Sequence, residues 1–283
     1  MSIAATPLQP KVTSSFFLPM RFMPPKRRAA LHTLYRFCRI VDDSIDEVSS
    51  KEEARANLLF WRNEITKLEQ GVAIHPDTLA LQRVFHEFAL PIQPLHDMMN
   101  GFQIDCASRV QIQSWKELEQ YCYSVAGCVG ILAAHIMGAT SKPCEVFAVT
   151  LGHALQLTNI LRDLSADRGQ QRNYIPLEWF EAYHIDPATT EKAELAVIAH
   201  VLHEKALRCF EETRLALPAE YARKLIPALL MRDSYVRLLH AVVKTGSYAT
   251  LTKRKLSIWD KMQIALRAIY YFTTLPRSAG SAQ

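Results

Sequence analysis

Between Leu31 and Glu47 the chain reads LHTLYRFCRIVDDSIDE, and no other segment constrains the fold as strongly. Leu31, Leu34, Tyr35, Cys38, Val41 and Ile45 recur at spacings of three and four, which predicts an amphipathic helix with one apolar stripe against a core. At about 100° per residue, Asp42 falls in the middle of that stripe, Asp46 lies about 40° away one turn on, and Asp43 turns toward the polar side. A carboxylate on a core-facing stripe is costly unless it is paired or binds metal. The interior facing Asp42 and Asp46 must therefore be enclosed yet polar. Carboxylates at i and i+4 repel on a bare helix. Mg²⁺, which takes one or two carboxylates with waters and substrate phosphates, removes that repulsion. The bland alternative is a solvated acidic helix end.

The same period runs through the rest of the chain. It predicts helices at about 26–47, 50–70, 77–89, 92–106, 114–139, 143–168, 190–215, 219–245 and 257–273. Ser50 with Glu53, and Ser114 with Glu117, fit capping boxes, and Pro91 and Pro94 mark a turn and a first helical turn. Gly71 and Gly101 read as stops or packing points. No alternation of period two lasts long enough to build a sheet, and there is no repeat, linker or low-complexity run. With 49% hydrophobic residues among 283, a single all-α domain over 13–273 is expected, with flexible ends at 1–12 and 274–283.

Composition excludes little else. No window holds the roughly 18 consecutive apolar residues of a membrane-spanning helix, and the first residues lack the apolar core of a signal peptide. A cytoplasmic location is expected. The six cysteines form no CxxC pair and read as reduced core residues, Cys122 and Cys128 included. A net charge of +5 suits a small anionic substrate or an anionic membrane surface, and nothing calls for nucleic acid.

A second acidic segment, Gln156 to Pro176, reads QLTNILRDLSADRGQQRNYIP. Asn159, Asp163 and Asp167, spaced i, i+4, i+8, share one helix side with Gln156. Ala148 and Gly152 leave room upstream on that face. Alone, Asp163 could pair with a nearby arginine as a structural bridge. Two acid ladders facing each other across a helical cavity can instead hold several magnesium ions around a diphosphate, stabilising charge on a leaving group. An allylic diphosphate needs that help to ionise, and the rest of the cavity must be apolar and nearly dry to protect the carbocation.

These two segments strongly resemble the paired signatures of squalene/phytoene synthases. YCYSVAGCVG at 121–130 resembles the segment between them, and SSFFLPMRFMPP at 14–25 the N-terminal diphosphate contact. The likeness runs from about residue 13 to about 270. It implies an isoprenoid synthase helical bundle with a central cavity, a prenyltransferase that joins two farnesyl diphosphates head to head. Within the family the short chain and the VDDSIDE form look most like bacterial enzymes making presqualene diphosphate for squalene and hopanoids. Dehydrosqualene, squalene, hydroxysqualene and phytoene synthases share the pattern, and non-catalytic assembly factors of the superfamily have lost the acids.

The resemblance implies that Asp42, Asp46, Asn159, Asp163 and Asp167 bind Mg²⁺, with Mn²⁺ able to substitute. Tyr35, Arg39, Gln156 and Arg162 match the diphosphate region, and Ser15 and Phe16 the N-terminal substrate contact. Tyr121, Val125 and Ala126 match the isoprenoid channel. Arg172 and Tyr174 match the family's RxYxP stretch, and Asp105 an acid opposite the second ladder. Tyr235 fits a C-terminal contact followed by Lys253 or Arg254. Tyr35, Arg39 and Tyr174 are expected to orient diphosphate or assist proton transfer. The chain departs from the family at Val110 and at Gln171, where the family usually has tyrosine and glycine. Gly169 and Gln170 also replace basic residues usual after Asp167. Those losses lead to the expectation that NADPH is not used.

Three features stay outside this scheme. His200 and His203, with Glu204 adjacent, have the spacing of metal ligands but no further ligand pattern. Gly127 and Gly130 serve either close helix packing or space for a farnesyl chain beside Ala126 and Ala133. Leu256, Trp259, Met262, Leu266 and Ile269 form an apolar stripe among Lys255, Lys261 and Arg267. It is expected to dock on the bundle, with contact to an anionic membrane, and so to downstream isoprenoid enzymes, as the alternative. Bulky Phe16, Phe17, Phe22 and Tyr35 are expected near the pocket, favouring 15-carbon over 20-carbon chains.

Overall fold

The structure is a computed structural model that describes residues 17–189, 191–244 and 258–276. After a single turn, α1 (Phe17–Met20), come α2 (Pro25–Asp46), α3 (Lys51–Glu69), α4 (Pro76–Phe88) and α5 (Gln93–Asp105). Then α6 (Trp115–Cys122) runs through a π turn (Tyr123–Gly127) into α7 (Cys128–Met137). α8 (Lys142–Gly169), α9 (Leu177–Ala182), α10 (Lys192–Leu215), α11 (Ile226–Lys244) and α12 (Ile258–Thr274) complete the helices. Ser50 Oγ accepts the Glu53 N–H at 3.1 Å, and Ser114 Oγ the Glu117 N–H at 3.3 Å, so both expected caps start their helices.

Four features differ from the sequence reading. α11 begins at Ile226 rather than near 219, because Pro227 occupies its first turn and the preceding Ala219–Tyr221 is only a 3₁₀ turn. The helix expected over 114–139 contains the π turn. α9 was not foreseen. Two two-residue strands, β1 (Val110–Gln111) and β2 (Arg172–Asn173), pair in parallel.

Most of the core among the described residues lies in two bodies, with a small third between α11 and α12. One gathers around α8 and α10, and the other around α2 to α5 with α7. Both line the cavity described below, which therefore sits where they meet. All six cysteines are free, and burial pushes the Cys128 thiol up to about 12. One helical stretch among the described residues, Trp115–Met137, is long and apolar enough to cross a membrane, and half of it is buried inside the fold.

The C-terminal helix corrects the expected docking stripe. α12 packs on α11 through Ile264 and Ala268, which contact Ile226 and Leu230, while Met262, Leu266 and Ile269 are 47%, 63% and 60% exposed. Ile264, Ala268, Tyr271 and Leu275 form a second stripe of the same period. Small Ala268 permits close approach, and the Tyr271 hydroxyl donates to Asp233 at 2.8 Å. Leu256 and the Trp259 side chain lie outside the described residues.

Candidate active site

The last three turns of α2 carry Tyr35, Arg39, Asp42 and Asp46 along one side. Arg39 donates to Asp42 at 2.9 Å and reaches Asp43 at 2.6 Å. Asp46 is held from 126 residues further along the chain, accepting from Arg172 at 2.8 Å. Burial, and then the neighbouring Asp46 carboxylate, push Asp42 up to about 6 against the pull of Arg39. The Asp42 side chain remains 38% accessible, and Asp42 lines the cavity described below.

The small β1–β2 ladder explains how residues after α8 reach α2. The Val110 N–H donates to the Gln171 carbonyl at 3.1 Å, and the Ile112 N–H to that of Asn173 at 3.2 Å. Asn173 adds a side-chain bond to Gln111 at 3.1 Å. The extended strand then aims Arg172 at Asp46 and Tyr174 at Asp105. The Tyr174 hydroxyl donates to Asp105 at 2.7 Å, and Tyr121, whose ring stacks on Tyr174 at 4.9 Å, donates at 3.2 Å. Burial pushes the Asp105 carboxyl up to about 7; the Tyr174 hydrogen bond opposes that shift, while the charge of Asp46 adds to it.

On α8, Gln156, Asn159, Arg162, Asp163 and Asp167 follow one another at helical spacing. Asp167 is pushed up to about 6, first by burial and then by Asp163, with Asp46 of α2 also contributing. That influence of Asp46, and of Arg172 on Asp42, Asp105 and Asp167 alike, means the two ladders share one electrostatic environment. Asp163 is engaged by its neighbour Arg162, whose Nε donates at 2.9 Å. Asn159 Oδ1 is buried with no hydrogen-bond partner. Tyr235 of α11 lies beside Asn159 and Arg162.

Below the acids opens a cavity of about 370 Å³, toward the small end of ligand pockets. Tyr35, Arg39, Asp42, Asp105, Tyr121, Val125, Ala126, Gln156, Asn159 and Tyr235 all line it. Asp46, Arg172 and Tyr174 join it through their bonds to lining elements, whereas Ser15, Phe16, Lys253 and Arg254 lie outside the described residues. Phe22, expected near the pocket, is 37% exposed and does not line it. The Phe17 side chain is likewise outside the described residues. The sequence reading missed Met98, Phe102, Phe147, Leu151, Leu155 and Met231 among the lining residues. Their only signal was apolar periodicity, which a lining residue shares with any core residue. Gly130 and Ala133 line the cavity as well.

The donors fit a divalent cation. Carboxylates and an amide oxygen are the hard ligands Mg²⁺ and Mn²⁺ prefer. The orphaned Asn159 oxygen, and the Asp42 and Asp167 carboxyls raised by burial and by neighbouring acids, form a site short of positive charge.

The sequence profile of squalene/phytoene synthase matches residues 9–260. The chain belongs to the squalene/phytoene synthase family. Members of this family are prenyltransferases, and so is this chain. This synthase is 31% identical over 258 residues to presqualene diphosphate synthase of Rhodopseudomonas palustris, covering 90% of this chain and 92% of that one. It is 33% identical over 182 residues to 15-cis-phytoene synthase of Synechocystis, covering 60% of this chain and 54% of that enzyme. A crystal structure of a dehydrosqualene synthase superposes with a TM-score of 0.78 at 27% identity, over 93% of each chain.

Proposed function

We propose that this synthase condenses two farnesyl diphosphates head to head and releases presqualene diphosphate, in a squalene or hopanoid pathway. What supports the reading is that Asp42 of the first ladder and Asn159 of the second line one apolar cavity, while Asp46 acts electrostatically on Asp167. Asp42, Asp46, Asn159, Asp163 and Asp167 would hold the divalent cation, which supplies positive charge to the departing diphosphate. Arg39 and Arg172, already spanning acids at the mouth, offer guanidinium forks to the same diphosphate oxygens. The C1–O bond of the donor breaks, and the resulting allylic cation is attacked by the C2–C3 double bond of the acceptor. Loss of one proton then closes the cyclopropane. Asp105, raised to about 7 and oriented by Tyr174 and Tyr121, is placed to accept that proton. Tyr35, Val125, Ala126 and the apolar lining keep water from the cation.

The fifteen-carbon preference draws its support from the presqualene relatives. Of the expected aromatics whose side chains are described, Tyr35 lines the cavity and Phe22 does not. The phytoene synthase likeness favours a second reading with twenty-carbon chains. Competition between farnesyl and geranylgeranyl diphosphate decides between them: farnesyl-derived product should dominate, and predominant phytoene would overturn the assignment. Turnover should vanish in excess chelator; full activity there would remove the cation from the account. The exposed apolar face of α12, on the helix that carries exposed Arg267, supports peripheral contact with the inner face of an anionic membrane, where a hydrophobic product partitions and downstream isoprenoid enzymes can receive it. Sedimentation with anionic vesicles tests that contact.

A further inference from the structure

Away from the cavity, α10 and α11 bring together side chains that the condensation does not use. His203 is 8% exposed, and neither ring nitrogen has a hydrogen-bond partner. The Glu204 carboxylate stands 3.4 Å from Nδ1, outside hydrogen-bond geometry. A buried polar group left unmade costs about 1–3 kcal/mol, and buried side-chain nitrogens are normally satisfied. One turn back on α10, the exposed His200 ring stacks at 6.3 Å from His203. One ligand atom each from His200, His203 and Glu204 can be chosen so that all lie within 4.8 Å of one another. The sequence spacing gave only these three. The fold adds His240 of α11, exposed, with its ring 6.3 Å from that of His203.

We propose that His200, His203 and Glu204 of α10, with His240 of α11 as fourth donor, bind a transition-metal ion of the zinc class. Imidazole nitrogens select Zn²⁺, Co²⁺, Ni²⁺ or Cu²⁺ over Mg²⁺, so this site and the acid ladders sort cations by ligand chemistry. Two imidazoles on one tetrahedral zinc hold their ring centres about 5 Å apart; rotation of the two exposed histidines toward buried His203 closes the remaining gap. Burial, and the positive influence of His240 and His200, keep His203 in the neutral form that ligates, against the opposing pull of Glu204. None of the four residues lines the cavity. The ion would tie α11, which carries Tyr235, to α10, which packs along α8.

The test uses tag-free full-length protein in excess Mg²⁺, titrated with Zn²⁺ by calorimetry and with Co²⁺ as an optical probe. One equivalent should bind with micromolar or tighter affinity, Co²⁺ should show the visible absorption of a tetrahedral site, and zinc should raise the melting temperature. His200→Ala and His240→Ala alter exposed side chains, so the fold is not at risk. Each should weaken zinc about ten-fold or more while leaving zinc-free, Mg²⁺-supported turnover unchanged. Asp42→Asn should leave zinc affinity intact. Absence of binding in excess Mg²⁺, or binding that survives His200→Ala, would overturn the site. Loss in Asp42→Asn would assign the zinc to the acid ladders instead. Unchanged affinity in His240→Ala would contradict the tie between helices.

Discussion

Gln171 has a φ of 60°, in the left-handed region, at the point where the chain leaves α8 for β2. Its carbonyl anchors Val110, so the conformation is fixed by the ladder that delivers Arg172 and Tyr174. A side chain there costs about 1–2 kcal/mol. Gln171→Gly should therefore raise the unfolding free energy by up to about 1 kcal/mol, read as a higher urea midpoint, part of the relief being offset by added freedom in the unfolded chain. A lowered midpoint would show that the loop is unstrained. For the acids, Asp42→Asn and Asp163→Asn should each cut turnover about a hundred-fold or more, with unchanged circular dichroism. Near-normal turnover in either would remove that residue from diphosphate ionisation. Asp42 was legible because a carboxylate on an apolar stripe needs a reason. The engagement of Asp163 by Arg162 was foreseen only as an alternative, since helical spacing does not say which of several charges an acid will choose. Met98 and Met231 could not be told from core, because a cavity wall and a core wall use the same residues.

At the scale of elements, the approach of α8 to the π turn sets the cavity wall. A Cβ on Gly152 would stand 2.8 Å from the Gly127 nitrogen, and one on Gly130 2.7 Å from the Ala148 carbonyl oxygen. Both obstacles are backbone, which cannot swing aside. The Cys128 N–H bonds back to the Tyr123 carbonyl, and the Tyr123 hydroxyl donates to Asp97 at 2.9 Å, so the wide turn is held on both sides. It presents Val125 and Ala126 to the cavity, a placement in keeping with π turns at functional sites. Gly152→Ala should cost about 1–3 kcal/mol by overpacking, read as a lower denaturation midpoint; a neutral result would mean the helices are free to separate. The helices themselves were readable from period and caps. The π turn was not, since one extra residue per turn leaves apolar spacing almost unchanged. Nor were β1 and β2, which are two residues long and depend on a partner 62 residues away.

For the whole molecule, folding gathers carboxyls that would rather be apart. Asp42 and Asp167 rise from 3.8 to about 6, and Asp105 to about 7, chiefly through burial. The folded state thus keeps protons that the unfolded chain has already released. These groups favour folding most at low pH, and that contribution is lost as pH rises through about 4 to about 7. His153 and His203, lowered by burial, act oppositely in acid below about 6.5. Melting of metal-free protein should therefore fall from about pH 5 to about pH 7 and level off above it, and Mg²⁺ with pyrophosphate should recover more of it at about pH 7 than at about pH 5. A flat profile, or equal recovery at both ends, would contradict the shared environment of the two ladders.

The most direct measurement of the central claim is the product of purified protein given farnesyl diphosphate, Mg²⁺ and NADPH, separated with and without phosphatase treatment. Presqualene diphosphate should accumulate and be converted by phosphatase to its alcohol, with NADPH unconsumed. Squalene as the main product, with NADPH oxidised, would contradict the account, and so would hydroxysqualene, which requires the second diphosphate to ionise.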